Sequence, residues 1–336
     1  MIKNLKKQSI IDKIEKRFGR ETLIRKTNIQ KNIFSSGSLG LDIILGVGGY
    51  PSGRIIEIYG PEASGKTTLA LHAILEIQKR KKYSVFIDME HAIDLNYIKN
   101  IGIDLSKLLL SQPNNGEQAL EIATFLTQTR TVNLIVIDSV ASLVPKYEFD
   151  KCYQDVQIGL HARLMSRVLR KLSILTSKND VSIIFINQIR LKIGVLFGSN
   201  EITTGGTALK FYASIRIEIK RVGNLKKAND IIGCRTKIKI TKNKLSSPFK
   251  EIEFDILYGL GVSNEGELID LGTKTKVLKK TGNWITYNSC KLGYGRENVR
   301  FYILRNSKIA YNIYNDIINV SFYIFKKDVK KKLIKY

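Results

Sequence analysis

At 336 residues, 43% hydrophobic and 25% charged, the chain can bury a full core, and its length allows one large domain plus a smaller one. Its formal charge of +25 attracts polyanions, but a chain rich in Lys, Ile, Asn and Tyr is also what AT-biased codons produce, so charge alone does not fix a nucleic-acid partner. No apolar run nears the roughly 18 residues of a membrane span, the basic N-terminus lacks the features of a signal peptide, and Cys152, Cys234 and Cys290 are too scattered for disulfides or zinc, so a reduced, cytoplasmic setting without membrane contact is expected.

In chain order, residues 3–18 pattern as a basic amphipathic helix with Ile10, Ile14 and Phe18 on one stripe and Ile11 beside it. Nothing local buries that stripe, so it either packs on the chain's own core or docks on a neighbouring subunit. A loop-like stretch completes a first segment, residues 1–32. From Ser35 to about Gly261 strands and helices alternate. Arg54–Tyr59 reads as a strand, and Leu69–Arg80 as a helix with Leu69, Ala73, Ile74 and Ile77 at helical spacing. Tyr83–Asp88, Asn133–Asp138 and Val181–Asn187 are short, β-branched and almost continuously apolar, as strands buried on both faces of a parallel sheet are. Helical patterns at Glu117–Thr129 and Leu160–Thr176 separate them. After Gly261 the texture changes to glycine-punctuated and then Tyr- and Lys-rich sequence. The expected architecture is therefore α/β: a core at 33–262 with a mostly parallel twisted sheet flanked by helices, an N-terminal helical arm, and a small α+β domain at 263–336.

Between the first strand and its helix lies Gly60-Pro61-Glu62-Ala63-Ser64-Gly65-Lys66-Thr67-Thr68, which satisfies GxxxxGK[ST] in the strand–loop–helix context that the chemistry requires. Gly60 and Gly65 let backbone N–H groups face a phosphate at a helix N-terminus, Lys66 reaches the β/γ-phosphates, and the Thr67 hydroxyl helps to hold Mg²⁺. A nucleoside triphosphate is the ligand this predicts. Asp138 closes the run Leu134–Ile137, a carboxylate at a strand end placed to complete the metal site. Glu90 follows another strand end. It is either a surface-loop carboxylate or the group that polarises an attacking water. The Gly- and Thr-rich stretch from Gly194 to Gly206 follows Asn187-Gln188-Ile189-Arg190, and a second irregular stretch spans 148–159. Long loops inside a compact domain are usually functional. Two of them beside an ATPase site point to a polymer substrate without saying which.

Taken together, Gly60–Thr68, Phe86–Asp94, Val136–Val140, Phe185–Arg190, the 192–210 loop with Ala208–Ser214, and Lys242-Asn243-Lys244 with Pro248-Phe249 resemble the bacterial RecA recombinase family in order and spacing. The resemblance covers about residues 8–300. It implies a RecA-type core and a DNA-dependent ATPase that forms a helical filament on single-stranded DNA, pairs it with homologous duplex and serves recombination, repair and the response to DNA damage. A closed-ring helicase or repair ATPase on the same core is the alternative, and a non-enzymatic DNA-coating protein a more remote one. ATP and Mg²⁺ are the implied cofactors, with Lys66, Thr67 and Asp138 holding phosphates and metal. Glu90 matches the catalytic carboxylate, Asp94 and Tyr97 the adenine contacts, and Gln188 the sensor of the γ-phosphate. Lys242 and Lys244 match lysines that reach a neighbour's ATP. The implied DNA loops are 150–159 and 189–206. Arg163, Arg170, Ile193 and Gly205, Gly206 and Thr207 would contact the primary strand's backbone, with Ile158 and Phe197 at the bases. Lys280 and Arg296 fall where the family gathers duplex DNA, and a self-cleaving repressor is a further implied partner. Two departures stand out: Lys151-Cys152-Tyr153-Gln154 replaces a glycine-containing acidic stretch, and the C-terminus is basic where many relatives are acidic.

Overall fold

The computed structural model describes residues 2–19, 32–150, 159–191, 201–227 and 230–333. The chain divides into two units, residues 1–32 and 33–336. The first contains α1 (Ile2–Phe18), which ends on Lys16 and Arg17, favourable to its dipole.

The second unit opens with β1 (Ile33–Phe34), α2 (Leu39–Leu45) and β2 (Tyr50–Pro51), and then builds strand–helix units. These are β3 (Ile55–Gly60), α3 (Lys66–Lys79), β4 (Ser84–Asp88), α4 (Leu95–Ile101), β5 (Leu108–Ser111), α5 (Gly116–Thr129), β6 (Leu134–Asp138), a short α6 (Lys146–Asp150), α7 (Leu160–Asn179) and β7 (Ser182–Leu191). Next come β8 (Glu201–Thr203), α8 (Ala208–Tyr212), β9 (Ile215–Lys227), β10 (Asp230–Asn243), β11 (Glu251–Leu257) and β12 (Gly261–Val262). The main sheet has the order β12-β11-β10-β9-β3-β7-β6-β4-β5. From β9 through β5 every neighbouring pair is parallel, whereas β10, β11 and β12 extend the sheet in antiparallel fashion.

Side chains alternate between the two faces of each strand, and each face has its own core. Ile56, Ile58, Phe86, Val136, Ile184 and Ile186 join Leu69, Ala73, Ile74 and Ile77 of α3. Ile55, Val85, Ile87, Ile135, Ile137, Ile183 and Phe185 join Ala119, Leu120 and Ala123 of α5 and Met165, Leu169 and Leu172 of α7. Burying both faces explains why these strands read as continuous apolar runs.

Helix α3 begins at Lys66, three residues before the start expected at Leu69, because Gly65 in the left-handed conformation turns the phosphate loop directly into the helix. The antiparallel arm β9–β11 was not singled out in the sequence, although Ile215, Ile217 and Ile219 and then Ile238 and Ile240 are buried at a period of two.

Beyond Ser263 lie α9 (Asn264–Lys274), β13 (Lys279–Thr281), β14 (Trp284–Tyr287), β15 (Cys290–Tyr294), α10 (Arg296–Arg305) and α11 (Ser307–Leu333). They enclose a third core with Leu268, Ile269, Leu278, Ile285, Val299 and Ile313, against which Leu39 and Ile43 of α2 and Ile252 of β11 pack. Polar contacts reinforce that join. The buried Glu267 carboxylate accepts hydrogen bonds from Ser38 Oγ at 2.5 Å and from the Leu39 and Gly40 N–H groups at 3.0 and 3.3 Å, so a side chain of α9 satisfies the N-terminus of α2. Arg235 and Arg296 each pair with both Asp255 and Asp270, at 2.6–3.1 Å. His72 of α3 accepts the Val262 N–H at Nε2, 2.8 Å away.

Candidate nucleotide site and the loop ends beside it

The sheet register assembles the site. Gly60, where β3 gives way to the phosphate loop, pairs across to Gln188 on β7, and Asp88 at the end of β4 pairs with Asp138 at the end of β6. Since these strands are parallel and adjacent, their carboxyl ends deliver the loop, Gln188, Asp138 and Glu90 to one edge, where ligands of open α/β sheets collect.

Within the loop, Gly65 lies at φ +93, and a Cβ there would stand 2.3 Å from Ile256 Cδ1. Gly60 is required for a different reason from the one expected: a Cβ on it would stand 2.0 Å from the Ile219 carbonyl of β9, so it permits close strand packing rather than an unusual φ. Lys66 Nζ donates to the Pro61 carbonyl at 2.6 Å, and burial lowers its ammonium pKa, opposed by Asp138, Glu90 and Glu62. Thr67 Oγ1 donates to Asp138 Oδ2 at 2.6 Å. Burial raises the Asp138 carboxyl to about 6; the Thr67 hydrogen bond opposes the rise, the Glu90 charge adds to it and Lys66 opposes it. A hydroxyl and a carboxylate are hard oxygen donors suited to Mg²⁺, which keeps water and phosphate oxygens as its other ligands. Among the described residues no group of three or more His, Cys, Asp or Glu is arranged to hold a metal ion without such outside ligands.

Glu90 is exposed but oriented. Its Oε1 accepts from Ser139 Oγ at 2.6 Å and from Gln188 Nε2 at 3.0 Å. Behind it, Asp88 accepts the Glu90 and Ile93 N–H groups and Gln112 Nε2, fixing the turn after β4. Ser139 lies inside the Val136–Val140 segment, and nothing in its spacing says which way its hydroxyl points.

A cavity of about 690 Å³ adjoins the loop, lined by Ala63–Thr68, Asp94, Tyr97 and Asn100 and, from the antiparallel arm, Arg221, Cys234 and Tyr258. Tyr97 OH lies 2.7 Å from Thr68 Oγ1, and burial raises its phenol. Asp94 caps α4 by accepting the Asn96 N–H at 2.8 Å.

The site continues to a loop end. Asn187 Oδ1 accepts the Gln188 N–H at 2.9 Å and the Thr204 hydroxyl at 2.5 Å, while its Nδ2 donates to Glu57 and to the Thr204 carbonyl. Glu90, Gln188, Asn187 and Thr204 thus form one hydrogen-bonded chain. Gly205 and Gly206, at φ +78 and +75, seat the following turn on Val140 and on Ala162 of α7. Thr207 precedes α8, and Arg163 and Arg170 are exposed on α7. Ile158, Ile193 and Phe197 lie outside the described residues.

Lys242 and Lys244 are not brought to this edge. Lys242 pairs with Arg216 and Asn243 with Ile215, at the level where β9 begins, opposite the phosphate loop. Lys242 Nζ instead donates to the Lys210 and Phe211 carbonyls at the end of α8. Lys280 is exposed on β13, whereas the Arg296 guanidinium is engaged by Asp255 and Asp270.

Fold and site together define a P-loop nucleoside triphosphatase built on a mostly parallel α/β sheet. The RecA N-terminal domain family matches residues 4–263 and the RecA C-terminal domain family residues 266–320. The chain is 51% identical to Protein RecA of Paramagnetospirillum magneticum over 310 residues, 91% of this chain and 86% of that protein. To Protein RecA of Rickettsia bellii it is 52% identical over 303 residues, covering 89% and 88%. A crystal structure of the RadB recombinase shares the fold, with a TM-score of 0.52 at 23% identity over 68% of this chain and 97% of that one. The chain belongs to the RecA family of recombinases. As such it is a DNA-dependent ATPase of homologous recombination, DNA repair and the SOS response, and the closed-ring helicase alternative is set aside. None of the described helices is long and apolar enough to cross a membrane.

Proposed function

We propose that the chain binds ATP with Mg²⁺ between subunits of a helical filament on single-stranded DNA, and that γ-phosphate occupancy sets the grip of the DNA loops. In this reading Gly60–Thr68 surrounds the phosphates, with Lys66 at the β/γ-phosphates and Tyr97 and Asp94 at the adenine. Thr67 and Asp138 hold Mg²⁺, which neutralises phosphate charge when bound. Glu90, aimed by Ser139 and Gln188, accepts a hydrogen bond from the attacking water. Lys242 and Lys244 serve a neighbouring subunit's ATP, in keeping with their distance from this chain's own loop. Arg163, Arg170 and Gly205–Thr207 meet the strand's backbone, and Lys280 gathers duplex with less help from the engaged Arg296. Stimulated self-cleavage of a repressor belongs to the same reading.

The observation that carries this is the chain Glu90–Gln188–Asn187–Thr204, because it lets one event at the nucleotide be felt at a DNA loop. The test is ATP hydrolysis with and without single-stranded DNA, with Lys66→Ala as control and a salt titration alongside. Strong stimulation abolished by the substitution is expected. Hydrolysis indifferent to DNA would refute the coupling.

A further inference from the structure

One titratable group at the junction of the loop ends is left unused by the site above. His161 occupies the first turn of α7, just after Gly159. Its ring is hydrogen-bonded to the backbone of Val140, two residues beyond Asp138. Its Nε2 is buried and has no hydrogen-bond partner among the described residues. That nitrogen faces the loop exit, 3.6 Å from where a Cβ on Gly205 would stand, and the same Cβ would stand 2.8 Å from Val140 Cγ1 and 3.5 Å from Met165 Cγ. The charged groups acting on the ring are Glu148 of α6 and Arg190 of β7.

A neutral imidazole that donates to a carbonyl presents a lone pair at its other nitrogen, and a buried lone pair without a donor is unfavourable. Protonation converts that nitrogen into a charged donor in search of an anionic acceptor. Backbone phosphates of a strand lying on Gly205–Thr207 are such acceptors.

We propose that His161 is a DNA-positioning residue: as a single strand settles on Gly205–Thr207 and shifts that turn away from the ring, Nε2 takes a proton from solvent and donates a charge-assisted hydrogen bond to a backbone phosphate. This rests on the reading of Gly205–Thr207 as a DNA contact. In the free protein burial holds the ring's proton affinity below the ordinary value, with Glu148 opposing that effect and Arg190 adding to it. The phosphate charge reverses the balance, so DNA binding and proton uptake are linked.

The experiment is anisotropy of a labelled oligo(dT), with a non-hydrolysable ATP analogue at fixed salt, from about pH 5.5 to 8, for the wild type, His161→Gln and His161→Arg. Far-UV circular dichroism establishes that each variant is folded. Relative to His161→Gln, the wild type should gain about tenfold in affinity between neutral and mildly acid pH, as one linked proton requires. His161→Arg, permanently charged, should bind tightly without that pH dependence. Calorimetry in two buffers of different ionisation enthalpy should show proton uptake for the wild type and none for His161→Gln. Parallel pH profiles and no buffer-dependent heat would overturn the role of His161 while leaving the DNA reading intact. Absence of salt-sensitive DNA binding by the wild type at every pH would overturn both.

Discussion

His72 gives the sharpest energetic test of how the phosphate-loop helix is anchored. It sits on α3, 4% exposed, and its Nε2 must stay unprotonated to accept the Val262 N–H. Burial, assisted by the Lys79 charge, lowers its pKa from 6.5 to about 4. Between those values the unfolded chain binds a proton that the folded chain refuses, so this residue's contribution to stability falls as pH drops through the window. Going from about pH 7 to about pH 4.5, the loss is about 2 kcal/mol. Asp42 and Glu267, each raised to about 7 by burial, act in the opposite sense: the folded state binds their protons more tightly and gains stability as pH falls. A comparison with His72→Gln cancels both carboxylates, because the amide oxygen accepts the same N–H and does not titrate. Urea unfolding of the two proteins by far-UV circular dichroism should show the wild type losing about 2 kcal/mol relative to the variant over that interval. A stability difference that stays constant with pH would refute the argument.

Glu267→Ala leaves the α2 N–H groups and the Ser38 hydroxyl without their acceptor. It should cost about 2–4 kcal/mol, read in urea unfolding by Trp284, the single tryptophan, on β14. Gly205→Ala places a Cβ 2.8 Å from Val140 Cγ1 at φ +78 and should weaken DNA-stimulated hydrolysis, with a half-saturating DNA concentration about tenfold higher. Gly282→Ala, at φ +59 with no atom within 4 Å, brings backbone strain without the clash and serves as control. Tyr97→Phe removes the 2.7 Å contact with Thr68 and should raise the KM for ATP about two- to fivefold, leaving kcat near wild type in steady-state assays.

The sheet core was legible because Ile-Val-rich runs such as Leu134–Ile137 must be covered on both faces, and a glycine loop followed by Lys66 and Thr67 can do little else. The antiparallel arm was harder to read. Its alternating isoleucines carry the signal, but Lys and Arg at the intervening positions make the segment look like solvated surface. Parallel strands collect their carboxyl ends at one edge, so the nearness of Asp138 to the phosphate loop was legible, whereas the bond from Gln188 to Glu90 depends on β7 lying between β3 and β6. Ser139 could not have been chosen from spacing, since its role comes from one hydroxyl aimed at Glu90. Lys242 illustrates the opposite case: its place in a motif is plain, and only the register shows it at the end of the sheet opposite the phosphate loop.

The two carbonyl contacts of Lys242 bear on how subunits communicate. A side chain that closes the end of α8 is not an idle cation waiting for a phosphate. To reach across to an adjoining subunit it must first release the Lys210 and Phe211 carbonyls, and α8 begins immediately after Thr207. On the proposed reading, recruitment of Lys242 by a neighbour's triphosphate would therefore loosen the short helix that follows Gly205–Thr207. Under that arrangement the nucleotide bound by one subunit acts on the DNA contact of the next, giving signals along an array a direction.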